Sequence, residues 1–252
     1  MATQTTSPER IDASGLGHRD LNLKIRALVS NGAREIEIRN VHGQRYIGTD
    51  LNRPVDIEIF GTPGNDLGAF MDGPRIVVRG NAQDGCANTM NDGEIVVHGH
   101  AGDILGLSAR GGKVFVRDDV GYRCAIHMKE YHEKKPALII GGTSQDFLGE
   151  YMAGGIVIVL GLNLNAEQKH KANFIGTGMH GGVIYLRGTV DDHQLGREVG
   201  VCELDSSDHQ IVQGLVEEFA AHFGYDAGRI LGYEMIKLFP RSLRPYGRLY
   251  AY

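Results

Sequence analysis

The sequence has no excess of basic residues, few cysteines and no long apolar segment. Its 26 lysines and arginines are outnumbered by 31 acidic residues, which gives a formal net charge of −5. This balance does not favour nucleic acid or an anionic membrane surface as a partner. No apolar run approaches the roughly 20 residues that a helix needs to cross a bilayer. We therefore predict a protein that binds neither nucleic acid nor membranes.

The three cysteines, Cys86, Cys124 and Cys202, are odd in number and widely spaced. They fit a reduced cytoplasm better than a disulfide framework. No Cys-x-x-Cys spacing occurs, so we expect no iron–sulfur cluster or structural zinc on this chain. Residues 1–17 are polar and lack the basic and apolar regions of a signal peptide. We expect them to form a flexible leader of a cytoplasmic protein.

Glycine, in contrast, is abundant and periodic. The chain has 36 glycines in 252 residues, and the positions Gly61, Gly80, Gly99 and Asp118 follow each other at intervals of nineteen. The interval recurs between Gly142 and Gly161. A fixed period of this size indicates stacked supersecondary units.

Aligned repeats share three kinds of apolar position. One row holds Leu67, Cys86, Leu105, Leu148 and Ile175; a second holds Met71, Met90, Ala109, Met152 and Met179; a third holds pairs such as Ile76/Val78, Ile95/Val97, Val114/Val116, Val157/Val159 and Ile184/Leu186. The paired row alternates as a strand does, which predicts that the intervening Arg75, Val77, Glu94 and Lys113 face outward. Cys86 occupies a position that is otherwise Leu or Ile, so we interpret it as a core residue.

These rows predict an all-β fold, a single-stranded β-helix (β-solenoid) of about seven coils with short terminal helices. Each coil has three short sides, and glycine supplies the positive φ that its corners need. The interval lengthens to 24 residues after Asp118 and to 27 after Gly161. We place the surplus at residues 128–136 and 162–172, as loops that project from one side and are candidates for partner binding.

The two ends of the chain follow other patterns. We predict an N-terminal helical cap at residues 18–34, β-helix repeats at 35–190, and a C-terminal helix with an Arg/Tyr-rich tail at 191–252. The C-terminal helix begins near Ser206 and carries Ile211, Leu215, Phe219 and Phe223 as its apolar stripe. The tail from Phe239 contains Arg241, Arg244, Tyr246, Arg248, Tyr250 and Tyr252. This composition is typical of an interface and equally of a surface strap.

The sequence offers no convincing reactive centre. The glycine motifs at 61–64 and 141–144 lack the lysine of a phosphate-binding loop. The histidines at 98, 100, 127 and 132 are interpreted as solvated, although a zinc-binding solenoid enzyme would use three histidines in this way. The carboxylate pairs at 118–119 and 191–192 are poor dyads, because adjacent side chains in a strand point to opposite faces. We predict no catalytic, cofactor or metal site, and keep a free-standing enzyme that uses His127 or Asp191 as an alternative.

The recurrent frame Gly-x-x-Met-x-Gly-Gly-x-Ile-x-Val-x-Gly, clearest at residues 149–161 and 176–188, resembles the GXGXG-type β-helix domain. That domain closes the large subunit of bacterial glutamate synthase and also forms a subunit of formylmethanofuran dehydrogenase. The segments Leu21–Val29 and Arg229–Arg241 resemble the glutamate synthase branch, whose domain ends in a helix and a Lys-x-x-Pro tail. The resemblance covers about residues 20–245 and implies a right-handed β-helix.

The same resemblance implies a function. We expect a non-catalytic scaffold subunit of glutamate synthase or N-methylglutamate synthase within a hetero-oligomer. Its expected partners are a class II glutamine amidotransferase-like subunit and an FMN-dependent synthase-like subunit, which holds FMN and an iron–sulfur cluster. This chain would bind no cofactor itself. The alternative is the β-helix subunit of a formylmethanofuran dehydrogenase or formyltransferase/hydrolase complex.

Overall fold

The computed structural model describes residues 7–165 and 168–242, which form one eleven-stranded sheet and three α-helices. The strands are β1 (Glu9–Asp12), β2 (Glu35–His42), β3 (Asp56–Thr62), β4 (Asp72–Val78), β5 (Asp92–Val97), β6 (Lys113–Val116), β7 (Ala137–Ile140), β8 (Ala153–Val159), β9 (Gly181–Arg187), β10 (Val199–Glu203) and β11 (Met235–Pro240). The helices are α1 (His18–Ser30), α2 (Ser206–Phe223) and α3 (Ala227–Leu231), with a short 3₁₀ helix at Asp192–Gln194.

Strands β1 to β9 pair in parallel with their neighbours in sequence, which is the topology of a β-solenoid. Arg75, Glu94 and Lys113 are register partners on β4, β5 and β6, so the nineteen-residue period is one coil. Each coil has a strand side, a short side marked by bridges such as Ala82 to Ala101, and a side made of a turn. The predicted all-β solenoid with three short sides is confirmed.

The interior is filled by the predicted rows. Met71, Met90, Met152 and the β-strand pairs are fully buried. Cys124 and Met128 join the same core, although the spacing alone did not place them in the rows. They belong to the coil before the first insertion, and the five extra residues that follow shift its strand out of the regular interval.

The turn side has an unusual backbone that repeats in every coil. Three residues, each two positions from the next, take left-handed conformations around a central glycine or alanine. The seven centres in the described chain are Gly48, Gly68, Ala87, Gly106, Ala125, Gly149 and Gly176. Hydrogen bonds join each turn to its neighbours, as from Phe70 N to Asn88 O and from Ala87 N to Leu67 O, each 2.9 Å. The turns therefore stack as regularly as the strands do.

The outer surface of the strand side is covered by a second core. Val96, Phe115 and Ile158 point away from the solenoid interior and pack under α2 and α3. The prediction that Val77 faces outward is correct in direction, but the side chain is buried in this second core. In α2 the predicted Leu215 and Phe219 are buried, Ile211 is 39% exposed, and the buried stripe extends to Val212, Val216 and Ala220.

The ends of the solenoid are closed differently. Helix α1 buries Leu21, Ile25 and Val29, close to the predicted helix. The expectation of a flexible leader is wrong for residues 9–12, which form β1 and extend the parallel sheet beside β2. At the other end β11 pairs antiparallel to β9, and β10 pairs with β11. The segment expected to resemble a terminal tail, Ile236–Arg241, is thus largely a strand.

Two predictions about the ends cannot be compared with the structure. Residues 243–252 of the predicted Arg/Tyr-rich tail, and residues 1–6 of the predicted leader, lie outside the described ranges. Right-handed winding remains a prediction from the family resemblance.

We expected the two insertions to project from one side of the solenoid, but they leave it at different corners. The first leaves the coil before β7 and folds back, so that Lys134 Nζ lies 3.0 Å from both Asp72 Oδ1 and Asp92 Oδ2. The second leaves after β8, at another corner. It returns against β9, where buried His170 is hydrogen-bonded through Nε2 to the Arg187 carbonyl (2.9 Å). The first insertion thus contacts the body of the solenoid through Lys134, and the second through His170.

Candidate interaction surfaces

The described residues provide buried thiols but no cluster suited to a metal. Burial raises the pKa of the Cys86 and Cys124 thiols to about 12, so both stay protonated. Cys86 lies in the core as predicted. Within residues 7–165 and 168–242, no group of three or more His, Cys, Asp and Glu side chains is placed to hold a metal ion.

The histidines singled out by the sequence lie in separate places. His98 is not solvated as expected: it packs edge-on against Phe223 of α2, with ring centroids 5.0 Å apart. Burial and the nearby guanidinium of Arg79 lower the pKa of His98, which favours its neutral form. His127 stacks on Tyr151 at 5.4 Å on the turn side, and His132 contacts Tyr131 in the first insertion.

The carboxylate pairs serve the backbone and nearby cations. Asp118 binds Arg117, whose hydrogen bond lowers the pKa of that carboxyl. Asp119 Oδ1 accepts hydrogen bonds from the Thr143 backbone (2.6 Å) and from the Asn163 side chain (2.9 Å). Asp191 pairs with Lys169 at 2.8 Å. Asp118, Asp119 and Asp191 thus each have separate partners, so neither pair is arranged as a catalytic dyad.

The glycine motifs allow the coils to stack closely, and the centre of the basic stretch Lys169-His170-Lys171 is buried. Gly61 and Gly141 sit where an added Cβ would lie 2.1 Å from the carbonyl oxygen of the preceding coil, so close stacking requires glycine at both corners. In the cluster at 169–171 His170 is buried, and burial lowers the pKa of its imidazole. Its neighbours Lys169 and Lys171 are exposed, so only the central residue of this stretch is withdrawn from solvent.

A groove of about 650 Å³ lies where the second insertion meets the loop after α3. Its walls include Gln168, Lys169, Arg187 and Tyr233. The Arg187 guanidinium lies over the Tyr233 ring, 4.2 Å from its centroid, and donates to the Leu164 carbonyl. The groove shares its Gly188 and Gly232 walls with a second groove of about 570 Å³.

The turn side carries a ladder of stacked and exposed rings. Phe147 and Phe174 of successive turns are stacked at 4.9 Å, and the Arg123 guanidinium lies 4.7 Å from the Phe147 centroid. Arg123 also forms an ion pair with the buried Glu150. Phe70, Tyr151 and Phe174 remain about half exposed, at 50%, 48% and 49%. Helices α2 and α3 cover the strand side. On the turn side, helix α1 contacts the first turn, where the His18 and Tyr46 ring centroids are 6.1 Å apart and Arg26 donates a hydrogen bond to the Thr49 carbonyl.

The repeated coil, its glycine corners and its length match a known family. The family described as GXGXG motif matches residues 17–241. The chain belongs to this family. An uncharacterized protein of Methanocaldococcus jannaschii is 46% identical over 249 residues, covering 96% of this chain and 95% of that protein.

Glutamate synthases are more distant relatives of this GXGXG protein. Ferredoxin-dependent glutamate synthase 2 of a Synechocystis strain is 28% identical over 162 residues, and an Arabidopsis thaliana ferredoxin-dependent glutamate synthase is 30% identical over 162 residues. The chain spans about a tenth of the length of these enzymes, 10% and 9% respectively. The predicted relationship to glutamate synthase segments is confirmed.

A solved structure shares the fold. It is a chain of the formyltransferase/hydrolase complex of Methylorubrum extorquens with methylofuran, with a TM-score of 0.58 and 17% identity. The alignment covers 91% of this GXGXG protein and 89% of that chain. At this identity the likeness establishes the fold. No helix in the described ranges combines the length and apolar character needed to cross a membrane.

Sequence reasoning missed the turn-side ladder. The signal was present in the aromatic residues at positions 70, 147, 151 and 174, two residues on either side of the turn centre. Positions two apart share a face in a strand. The sequence did not show that the ends of these turns also form a face, because that arrangement depends on their left-handed backbone.

Proposed function

We propose that this GXGXG protein is a non-catalytic scaffold subunit of a glutamate-synthase-type complex in the cytoplasm, either glutamate synthase or N-methylglutamate synthase. It would hold a class II glutamine amidotransferase-like subunit against an FMN and iron–sulfur synthase subunit. Both cofactors would belong to the synthase subunit.

The observation that carries the proposal is the relationship to a segment comprising about a tenth of ferredoxin-dependent glutamate synthases. A chain equivalent to one segment of a large enzyme needs the other segments as separate partners if the same chemistry is to take place. The match to these two synthases covers 59% of this chain, and the family that includes the repeat matches residues 17–241.

The physical properties of the solenoid support a spacer role. Each coil is joined to the next by a parallel strand ladder and by the stacked turns, and the interior is continuously packed. A stack of this kind has few soft joints, so it can hold two bodies at a fixed separation. Transfer of ammonia between two sites needs such constant geometry.

The likeness to a chain of the formyltransferase/hydrolase complex favours a second candidate. In that case this protein would be the β-helix subunit of a formyl-transfer complex. The two candidates differ in the partners that they require, an amidotransferase and a flavoprotein in one case, an amidohydrolase and a formyltransferase in the other.

Co-purification from the native host distinguishes the candidates. We expect affinity-tagged protein at native expression to bring down an amidotransferase-like subunit and a flavoprotein, identified by mass spectrometry and by the flavin spectrum. A Met152→Asp variant places a charge in the fully buried methionine row and should lose both partners, because the coil cannot pack around an unpaired carboxylate. Each partner should keep its own half-reaction.

The matched control is Leu23→Asp, which introduces the same charge at a 56% exposed position on the outer side of helix α1 and should leave the complex intact. Recovery of an amidohydrolase with a formyltransferase would replace the leading proposal by the second one. Turnover of substrate by the purified single chain would contradict both, and loss of that turnover in a His127→Ala or Asp191→Ala variant would establish a solenoid enzyme.

A further inference from the structure

The turn side forms one continuous face, which we define by the two outermost left-handed positions of each turn. On one edge of this turn face the residues from the first to the seventh coil are Tyr46, Asp66, Gly85, Ile104, Arg123, Phe147 and Phe174; on the other they are Asp50, Phe70, Thr89, Ser108, His127, Tyr151 and Gly178. Because adjacent strands lie about 4.8 Å apart, the seven coils extend over roughly 29 Å.

Four exposed ring residues on the two edges are arranged symmetrically about the fourth coil. Tyr46 lies on the first coil and Phe174 on the seventh, along the same edge. On the other edge Phe70 lies on the second coil and Tyr151 on the sixth. All four rings are between 43% and 50% exposed. Between these rings the third and fourth coils carry the uncharged residues Gly85, Thr89, Ile104 and Ser108, and the other edge positions between the rings are Asp66, Arg123, His127 and Phe147.

This distribution is self-complementary under a two-fold axis. If two copies meet face to face with antiparallel solenoid axes, the first coil of one opposes the seventh coil of the other and each edge opposes itself. Tyr46 then opposes Phe174, Phe70 opposes Tyr151, and Ile104 of the fourth coil opposes its own copy. Aromatic pairs of this kind stabilise an interface by more than the burial of their apolar area alone.

Charge follows the same symmetry. Asp66 on the second coil opposes Phe147 on the sixth, and the Phe147 ring carries the Arg123 guanidinium at 4.7 Å. The Asp66 carboxylate of one copy would thus lie near the Arg123 guanidinium of the other, which also pairs with Glu150 of its own chain, and the two-fold axis repeats this contact. Complementary charges at the margin of an interface fix its register.

The available area fits a small dimer interface. An aromatic side chain presents roughly 150–250 Å² when fully exposed, so four half-exposed rings contribute roughly 400 Å² per copy. Stable interfaces bury about 800 Å² per partner, and the half-buried Ile104, Leu107 and Ile126 between the rings add to the patch. We propose that the turn face is the interface of a two-fold homodimer with antiparallel solenoid axes. This goes beyond the scaffold function, since it brings two copies of any complex together.

The proposal is tested by the association state of the full-length protein. Sedimentation velocity over a concentration series should show a reversible monomer–dimer equilibrium. Ile104→Arg places two like charges together on the two-fold axis and should raise the dimer dissociation constant roughly 100-fold or more. Tyr131→Ser removes an exposed ring outside the turn face and should leave the constant unchanged. A wild type that stays monomeric, or a dimer equally stable in Ile104→Arg, overturns the proposal.

Cross-linking tests the register without relying on the folding of the arginine variant. In a Cys202→Ser background, Ser108→Cys places the accessible thiol on the fourth coil, where it faces its own copy. A short bis-maleimide should therefore link it into a covalent dimer. Asp50→Cys lies on the same edge, but its copy would be six coils, roughly 29 Å, away. No homodimeric link is expected there.

Equal linking at both positions, or at neither, contradicts the antiparallel arrangement. A monomer that nevertheless co-purifies with an amidotransferase and a flavoprotein would refute the dimer and leave the scaffold function standing. The two proposals therefore fail independently.

Discussion

At the scale of single residues, the turn centres and the strands that face them have complementary sizes. A Cβ added at Gly68 would lie 2.6 Å from Ile95 Cδ1, which leaves no room for a methyl group. Ala87 occupies the next turn centre with φ of 61°, and the same register places the shorter Val114 opposite it. Gly106 with Leu138, Gly149 with Ile184 and Ala125 with Val157 follow the same rule. Where the turn centre is alanine, with one more methyl group than glycine, the facing strand residue is therefore the smaller valine.

This complementarity predicts a coupled pair of substitutions. Val114→Ile alone should lower the free energy of unfolding by about 1–3 kcal/mol, because the added methyl group overpacks the space beside Ala87. In an Ala87→Gly background the loss should shrink by about 1 kcal/mol or more, since the double variant reproduces the Gly68 and Ile95 pair. Chemical denaturation of the four proteins gives the coupling energy. Additive losses would show that the two side chains do not share one space.

At the scale of elements, a buried carboxylate holds the start of helix α2 on the sheet, in addition to the apolar contacts of the second core. Asp208 accepts hydrogen bonds from Tyr185 Oη (2.6 Å) and from Lys237 Nζ (2.8 Å and 2.9 Å), and it also completes the capping box of α2 with Asp205. Burial acts to raise the pKa of Asp208, but the bonds from Lys237 and Tyr185 outweigh it, so the pKa lies below its ordinary value. The ionised carboxylate therefore ties β9, β11 and α2 together.

Removal of this charge should loosen α2. We expect Asp208→Asn to lower the free energy of unfolding by about 3 kcal/mol at neutral pH, because Lys237 loses its buried partner. A depressed native pKa stabilises the fold above the unfolded-state value near 4, and that contribution is lost as the pH falls through the native value. The difference between wild type and variant should therefore narrow below about pH 4 in denaturation experiments.

Glu217→Gln supplies the matched control on the same helix, since Glu217 is exposed and accepts only from Gln213 within α2. Its stability should stay within about 0.5 kcal/mol of wild type. A loss in Asp208→Asn that does not depend on pH would show that packing of the side chain, and not its charge, holds the helix.

Elements differ in how far the sequence predicts them. The β4, β5, β6, β8 and β9 strands follow from alternating pairs at a constant interval, and the interior rows follow with them. The coil with Cys124 and Met128 was missed because an insertion displaced its strand. Strands β10 and β11 were missed because they pair antiparallel outside the repeat, so no period indicates them. The second core was not predicted for a similar reason. An outward-facing apolar residue such as Val77 does not indicate, from the sequence alone, which helix covers it.

At the scale of the whole molecule, a solenoid must close two apolar cross-sections and two sheet edges. The C-terminal end uses β11 and β10, which continue the sheet antiparallel, while α2 and α3 cover its outer surface. The N-terminal end uses β1 on the sheet edge and α1 over the interior, where Ile25 is 1% exposed. Helix α1 is short and amphipathic, so its attachment depends on packing and not on its intrinsic stability. This makes it the sensitive end of the molecule.

Opening this end should convert a discrete protein into an aggregating one. Ile25→Asp buries an unpaired carboxylate beneath α1, so we expect the helix to detach and the apolar end of the first coil to become exposed. Light scattering after size exclusion should then show large species, and dye binding should report exposed apolar surface. Leu23→Asp, on the outer side of the same helix and 56% exposed, should behave as wild type. If both variants aggregate, the helix as a whole is unable to carry an added charge; if neither does, α1 is not what keeps the first coil from solvent.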